Sequence, residues 1–385
     1  MPPATRIFSE EHEQFRDSLR EFVAREITPF VSEWDEAGTF PRALYRRAAE
    51  LGATGLGFPE EYGGSPGDIF FKLILAEEYA RCGAGGLQAS INSHTIALPP
   101  IVAAGSEQIK RLVLPPVIKG EKIAALAVTE PSGGSDVAAV KTRAVRDRDH
   151  FVVNGEKTFI TSGMRADFLT TAVRTDPHRK GADGISILVI DGDTPGLSRT
   201  ALNKTGWWCS DTAHLHFDNC RVPIDRLVGD EHKGFRTLMA NFNGERLFMA
   251  ALAYAFASVC SEEALDWARQ RVTFGQPLVQ RQVIRHKLVD MAMRIEAARC
   301  LVYNLADRLR HSPNDAEVVA GIAMAKVFAT QTMRFCADEA VQILGGMGYM
   351  RGMRSERIYR EVKVMMIGGG SEEILKDLAA RQLGY

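Results

Sequence analysis

The feature that most constrains this chain is a double change of apolar period. From Ser9 to about Lys122, apolar residues recur at helical spacing (Phe15, Leu19, Phe22, Val23, then Leu73, Leu75, Ala76, Tyr79), with breaks at Pro29, Pro41, Pro59 and Gly63-Gly64. From Ile123 to about Arg226 the texture turns to short β-rich runs at 151–153, 158–161 and 185–190. The first two are separated by Asn154-Gly155, the dipeptide that most readily makes a type I′ turn, so the spacing predicts a hairpin there. From Gly234 helical spacing returns over 236–270, 280–311 and 315–344, and Gly345, Gly346 and Gly348 close the last stretch. The order is α, then β, then α, with domains at 1–122, 123–233 and 234–385.

At 385 residues the chain is long enough for two or three domains, at roughly 100 to 200 residues each. With 47 basic and 48 acidic side chains and no long run of like charge, it lacks the electrostatic footprint of a nucleic-acid or polybasic membrane binder. Six cysteines stand without a CxxC or a Cys/His cluster, which argues against a metal site and a disulfide framework and favours a reducing compartment. The longest charge-free run, Gly83 to Ser106, contains His, Asn, Ser and two prolines, so no transmembrane span is expected. Met1–Phe8 is too short and polar for a leader, and the expectation is a cytoplasmic protein. No GxGxxG after a strand, GxxxxGK[ST], HExxH or GxSxG is present, which removes support for the usual nucleotide, zinc-protease and hydrolase chemistries.

Three segments carry candidate chemistry. A stripe at steps of four and three (Leu238, Phe242, Glu245, Met249, Leu252, Phe256, Val259) includes one carboxylate. On an apolar face that Glu is desolvated and becomes a usable base near neutrality, or it simply pairs with Arg246. The run 127–136, AVTEPSGGSD, is a Gly/Ser-rich turn that either exposes N–H groups to a phosphate or merely reverses the chain. Gly368-Gly369-Gly370-Ser371 is either a flexible connection or a place where a ligand approaches the backbone. Trp207-Trp208 either lines a pocket or packs a loop.

Taken together, AVTEPSGGSD and the run from Gln342 through Gly345-Gly346-Met347-Gly348-Tyr349 to Arg357 and Glu361 resemble the acyl-CoA dehydrogenase family of flavoproteins. The matches Lys157–Thr161, Cys209–Thr212, Arg271–Gly275 and Gln282 extend the resemblance over essentially the whole chain. It implies the acyl-CoA dehydrogenase fold, with an N-terminal all-α domain, a central antiparallel β domain and a C-terminal four-helix bundle. It also implies FAD, an acyl-CoA substrate, an electron-transfer flavoprotein as acceptor and a homotetramer, with no nucleic-acid or membrane partner.

By position, the resemblance assigns Leu126, Val128, Thr129, Gly134, Ser135, Phe159, Ile160 and Thr161 to the flavin and its pyrophosphate. Thr129 and Thr161 would bond the ring, and Phe159 stands where many relatives have Trp. Arg271, Thr273, Phe274, Gln282, Gln342, Gly345 and Gly346 would serve the FAD of an adjacent protomer, and Ser371 and Glu373 would lie beside the cofactor. Ser135, Asn243, Arg246, Gly370 and Arg381 match substrate-side positions.

Many relatives carry the general base in the C-terminal loop, where this chain has Gly369. A subgroup resembling isovaleryl-CoA and long-chain dehydrogenases instead carries it on the helix before an Arg, which is Glu245-Arg246 here. The resemblance then implies α,β-dehydrogenation, with Glu245 removing the α proton and the Gly369 N–H bonding the thioester oxygen. Loss of side chains at 368 and 369 implies a wider pocket and an acyl group branched near the thioester. The alternatives are a catalytically silent or half-site subunit, and a flavin oxidase or monooxygenase on the same fold.

Overall fold

The computed structural model describes residues 7–179, 181–240 and 242–385, so the Met1–Phe8 reading lies largely outside the described residues. Eight helices come first: α1 (Glu10–Phe22), α2 (Val31–Ala37), α3 (Ala43–Glu50), α4 (Ile69–Ala80), α5 (Gly85–Ile91), α6 (His94–Ala97), α7 (Pro99–Ala104) and α8 (Glu107–Ile118). Ser9 and His12 form a reciprocal cap on α1, and Asp68 caps α4 through the Phe70 and Phe71 N–H groups.

Strands β1 (Ala124–Ala127), β2 (Arg143–Asp147), β3 (His150–Thr161), β4 (Phe168–Arg174), β5 (Ile185–Asp191), β6 (Leu197–Ala201), β7 (Thr212–Pro223) and β8 (Leu227–Val228) form one sheet in the order β6-β7-β3-β2-β4-β5-β8, with β1 also on β4. The β domain is mostly antiparallel, as expected, and β1 and β2 pair with β4 in parallel. The predicted hairpin at Asn154-Gly155 is corrected. Both residues lie inside the continuous strand β3, at a register shift against β7. Gly155 has φ +146°, and a Cβ there would stand 2.6 Å from Thr142 Cα, while Asn154 is engaged with Asn219. The glycine therefore serves a close approach inside the sheet rather than a turn. The turn falls instead between β2 and β3, where Asp147 pairs with His150 and Arg148 has φ +55°.

The last domain contains α9 (Gly234–Met239), α10 (Phe242–Gln270), a two-stranded ribbon of β9 (Val272–Thr273) and β10 (Gln276–Pro277), α11 (Gln282–His311), α12 (Ala316–Leu344), α13 (Arg354–Ile367) and α14 (Glu372–Leu383). Its core joins α10, α11, α12 and α13 with Phe70, Leu73 and Ala76 of α4, so the first and last domains share one apolar interior. The segment 234–270, which holds α9 and α10, is long and apolar enough to cross a membrane by length and composition alone; 67% of its most apolar window is buried inside the protein. That burial explains its composition, since a helix surrounded by others is apolar all round.

Candidate active site

Three groups of the singled-out residues can be distinguished. The first surrounds the turn after β1. Glu130, 6% exposed, accepts from Lys157 Nζ at 2.8 Å and from the Lys141 and Thr142 N–H groups at 2.7 and 2.9 Å. Lys157 is wholly buried and also donates to Val128 O at 3.0 Å. Burial pushes the Lys157 ammonium down to about 8 against the pull of Glu130. On the Glu130 carboxylate, burial works upward, but Lys157 and the Thr142 N–H hold it below the usual carboxylate range. The pair fixes the turn from below, and Thr158 N donating to Thr129 O at 2.8 Å ties it to β3.

Above this support lie the predicted cofactor residues. The Thr129 and Thr161 hydroxyls and the Gly134 and Ser135 N–H groups make no hydrogen bond among the described residues. Phe159 is 69% exposed at φ +60°, on the second register shift of β3. A bulge re-aims a side chain, and here it turns a large ring outward two residues before Thr161. Leu126, Val128 and Ile160 send their side chains into the domain cores, which leaves them only backbone groups to offer. An outward aromatic wall next to free hydroxyl and N–H donors fits a flat heterocycle with a polar edge and an attached phosphate.

The second group joins the start of α10 to the loop after α13. Arg246 Nε donates to Gly369 O at 3.0 Å and Nη1 to Asn243 Oδ1 at 3.4 Å. Glu245, half-buried in the first turn of α10, interacts electrostatically with Arg246 and with Lys72 of α4. Burial lowers both cations, and Glu245 opposes that in each. The carboxylate is therefore not on a purely apolar face, as its stripe suggested. Two cations, Lys72 and Arg246, stand toward it. The stripe itself does not define one face, because α10 is buried on nearly every side from Ala250 to Ala257. His94 of α6 also faces Lys72; burial pushes its imidazole down to about 4, and its Nε2 has no partner among the described residues.

The Gly368–Gly370 loop has φ +68° at Gly369 and +114° at Gly370. A Cβ at Gly369 would meet Met249 Sδ at 2.7 Å. The room expected from the missing side chains is thus taken up by a thioether from α10. Ser371 caps α14, with Glu373 exposed in its first turn and Arg381 exposed in its last.

The third group stands apart. Arg271, Phe274 and Gln282 are exposed on the β9–β10 ribbon and the start of α11, where Arg281 donates to Thr273 O at 2.7 Å. Gln342, Gly345 and Gly346 are exposed at the end of α12. No hydrogen bond or ion pair joins these residues to the first two groups among the described residues.

Trp207 and Trp208 pack a loop. The Trp207 backbone N–H donates to Glu361 at 3.2 Å, and the Arg351 and Arg360 guanidiniums lie over the Trp208 ring, 4.1 and 3.8 Å from its centroid. Glu361, wholly buried, also accepts from Gly85 N, so one carboxylate ties all three domains together. Lys72, His94 and Lys326, and the buried pairing of Lys157 with Glu130, are not evident from the sequence pattern. The available signal was a lysine inside an apolar run, clearest at 321–329.

Residues 9–121, 125–220 and 232–384 match the N-terminal, middle and C-terminal domain models of acyl-CoA dehydrogenases. An acyl-CoA dehydrogenase of Alternaria alternata is 38% identical, over 97% of this chain and 92% of its own. The long-chain specific acyl-CoA dehydrogenase of Sus scrofa mitochondria is 36% identical, over 98% and 87%. The crystal structure of a probable acyl-CoA dehydrogenase from Mycobacterium abscessus superposes with a TM-score of 0.95 at 46% identity, covering 98% of this chain and 100% of that one.

Proposed function

This chain belongs to the acyl-CoA dehydrogenase family of FAD-dependent oxidoreductases, and from that premise we propose that it dehydrogenates an acyl-CoA at Cα and Cβ with Glu245 as the base. The observation that carries the reading is the Arg246–Gly369 hydrogen bond, which brings the turn bearing Glu245 against the glycine loop. The base and an oxyanion donor then address one thioester. Glu245 takes the α proton, and the Gly369 N–H, which makes no hydrogen bond among the described residues, meets the charge that develops on the thioester oxygen. Thr129, Thr161 and Phe159 would hold the flavin ring, and Ser135 the pyrophosphate. When bound, FAD supplies the acceptor for the β hydrogen and its electron pair.

Arg246 stays cationic and serves by fixing the loop and attracting the substrate's CoA half. The acyl group in this reading carries a branch near the thioester, accommodated by the flexible thioether of Met249 rather than by open space. Competitive turnover of straight and 3-methyl-branched acyl-CoAs tests this, and a clear preference for straight chains defeats it. The further parts of the reading are an electron-transfer flavoprotein as acceptor, a cytoplasmic location and a homotetramer. The last is supported by apolar side chains exposed on the C-terminal helices and ribbon, among them Phe274, 97% exposed, with Val283, Val289 and Met293.

Anaerobic incubation of flavin-loaded protein with an acyl-CoA, followed by mass spectrometry, tests the reaction itself. Loss of two hydrogens from the acyl chain is expected. An unchanged acyl-CoA would refute it and favour the silent-subunit reading.

A further inference from the structure

Lys326 sits in mid-α12 inside the apolar run 321–329 and is 1% exposed. Its ammonium donates to Met366 O at 3.1 Å and to Gly370 O at 2.9 Å. No carboxylate lies within ion-pair distance of it among the described residues. A buried cation whose hydrogen bonds go to carbonyls is costly, and burial with repulsion from Arg246 pushes it down to about 8 against the more distant pull of Glu372. An apolar residue would fill this core at less cost, so packing alone does not account for a lysine there.

The two carbonyls lie on either side of Gly369, and Arg246 takes the Gly369 carbonyl between them. With three glycines in succession the loop has little steric constraint of its own. The N–H groups of Gly369, Gly370 and Ser371 make no hydrogen bond among the described residues, so nothing within the loop fixes their direction. The carbonyl contacts do.

We propose that Lys326 is a positioning residue for the reaction: by holding the Met366 and Gly370 carbonyls it fixes the Gly369 N–H against the thioester oxygen. This rests on the reading of Gly369 as the oxyanion donor. Lys326 touches neither substrate nor cofactor in this role. A shift of about 1 Å in a positioned group costs about 10²-fold in rate.

The test uses flavin-loaded protein with Lys326→Met, which keeps the length but removes the donors, and Lys326→Arg, which restores them. Lys326→Met should lower kcat by about 10²-fold with KM for acyl-CoA within about threefold, and Lys326→Arg should recover part of the loss. Hydrogen exchange is read in parallel on the peptide 366–374, with a peptide of α12 as internal control. Faster exchange in the loop alone supports the proposal. A kcat for Lys326→Met within threefold of wild type overturns it, as does exchange that rises equally in loop and control. Wild-type protein that turns over no acyl-CoA would refute the functional reading instead, while the exchange result would still report whether Lys326 holds the loop.

Discussion

Replacing Lys157 with Met should loosen the turn that carries Thr129 and Ser135. Lys157 is fully buried, and removing it leaves the Glu130 carboxylate, 6% exposed, without its counter-ion. Removing one partner of a buried pair costs about 3 to 5 kcal/mol. Glu130 keeps the Lys141 and Thr142 N–H donors, and Val128 O loses one, which places the cost near the lower end, about 3 kcal/mol. The assay is native-state hydrogen exchange on β1 and β2, which reports local opening. At about 1.4 kcal/mol per decade, their amides should exchange about 10²-fold faster in Lys157→Met, with α11 unaffected. Adding Glu130→Gln removes the stranded charge and should return about 1 to 2 kcal/mol. Exchange within threefold of wild type, or a double variant whose loss equals the sum of the two single losses, would refute the reasoning.

His94 and Met249 each carry a further expected outcome. His94 has its folded pKa pushed from 6.5 down to about 4, so its contribution to stability is complete above pH 6.5 and is lost as pH falls through 4, up to about 3 kcal/mol. Acid unfolding of wild type and His94→Gln, compared between pH 7 and 4, should show the steeper loss in wild type, and parallel curves would contradict this. Met249→Ala should shift kcat/KM toward 3-methyl-branched over straight acyl-CoAs by about tenfold, the worth of a methyl-sized space, and competitive turnover showing no shift would remove Met249 from the acyl site.

The order of domains was legible because helical and strand periods differ, and the three helical stretches predicted after Gly234 reappear as α9–α10, α11 and α12. Asn154-Gly155 misled because turn chemistry is a local signal. What decided it was the approach of Thr142 to Gly155, a tertiary contact no dipeptide encodes. Glu245 was found through a stripe that turns out not to be a face, since the helix beyond it is buried on nearly all sides; the glycine loop was legible from its composition, and the role of Gly369 in it only through family resemblance. Lys72 and Lys326, and the burial of Lys157, were missed because lysine reads as surface by default. Their burial depends on which carbonyls and carboxylates the fold brings to them. Phe159 was singled out through the resemblance, and its outward aim required the bulge in β3.

The central claim is that Glu245 takes the α proton in a site completed by the glycine loop. Anaerobic titration of flavin-loaded wild type and Glu245→Gln with straight and branched acyl-CoAs, followed by flavin absorbance, tests it most directly. Bleaching is expected in wild type and, in Glu245→Gln, binding of the same acyl-CoAs with bleaching slowed by at least about 10²-fold, the lower end of what a positioned base contributes. Bleaching at equal rates in the two proteins would contradict it.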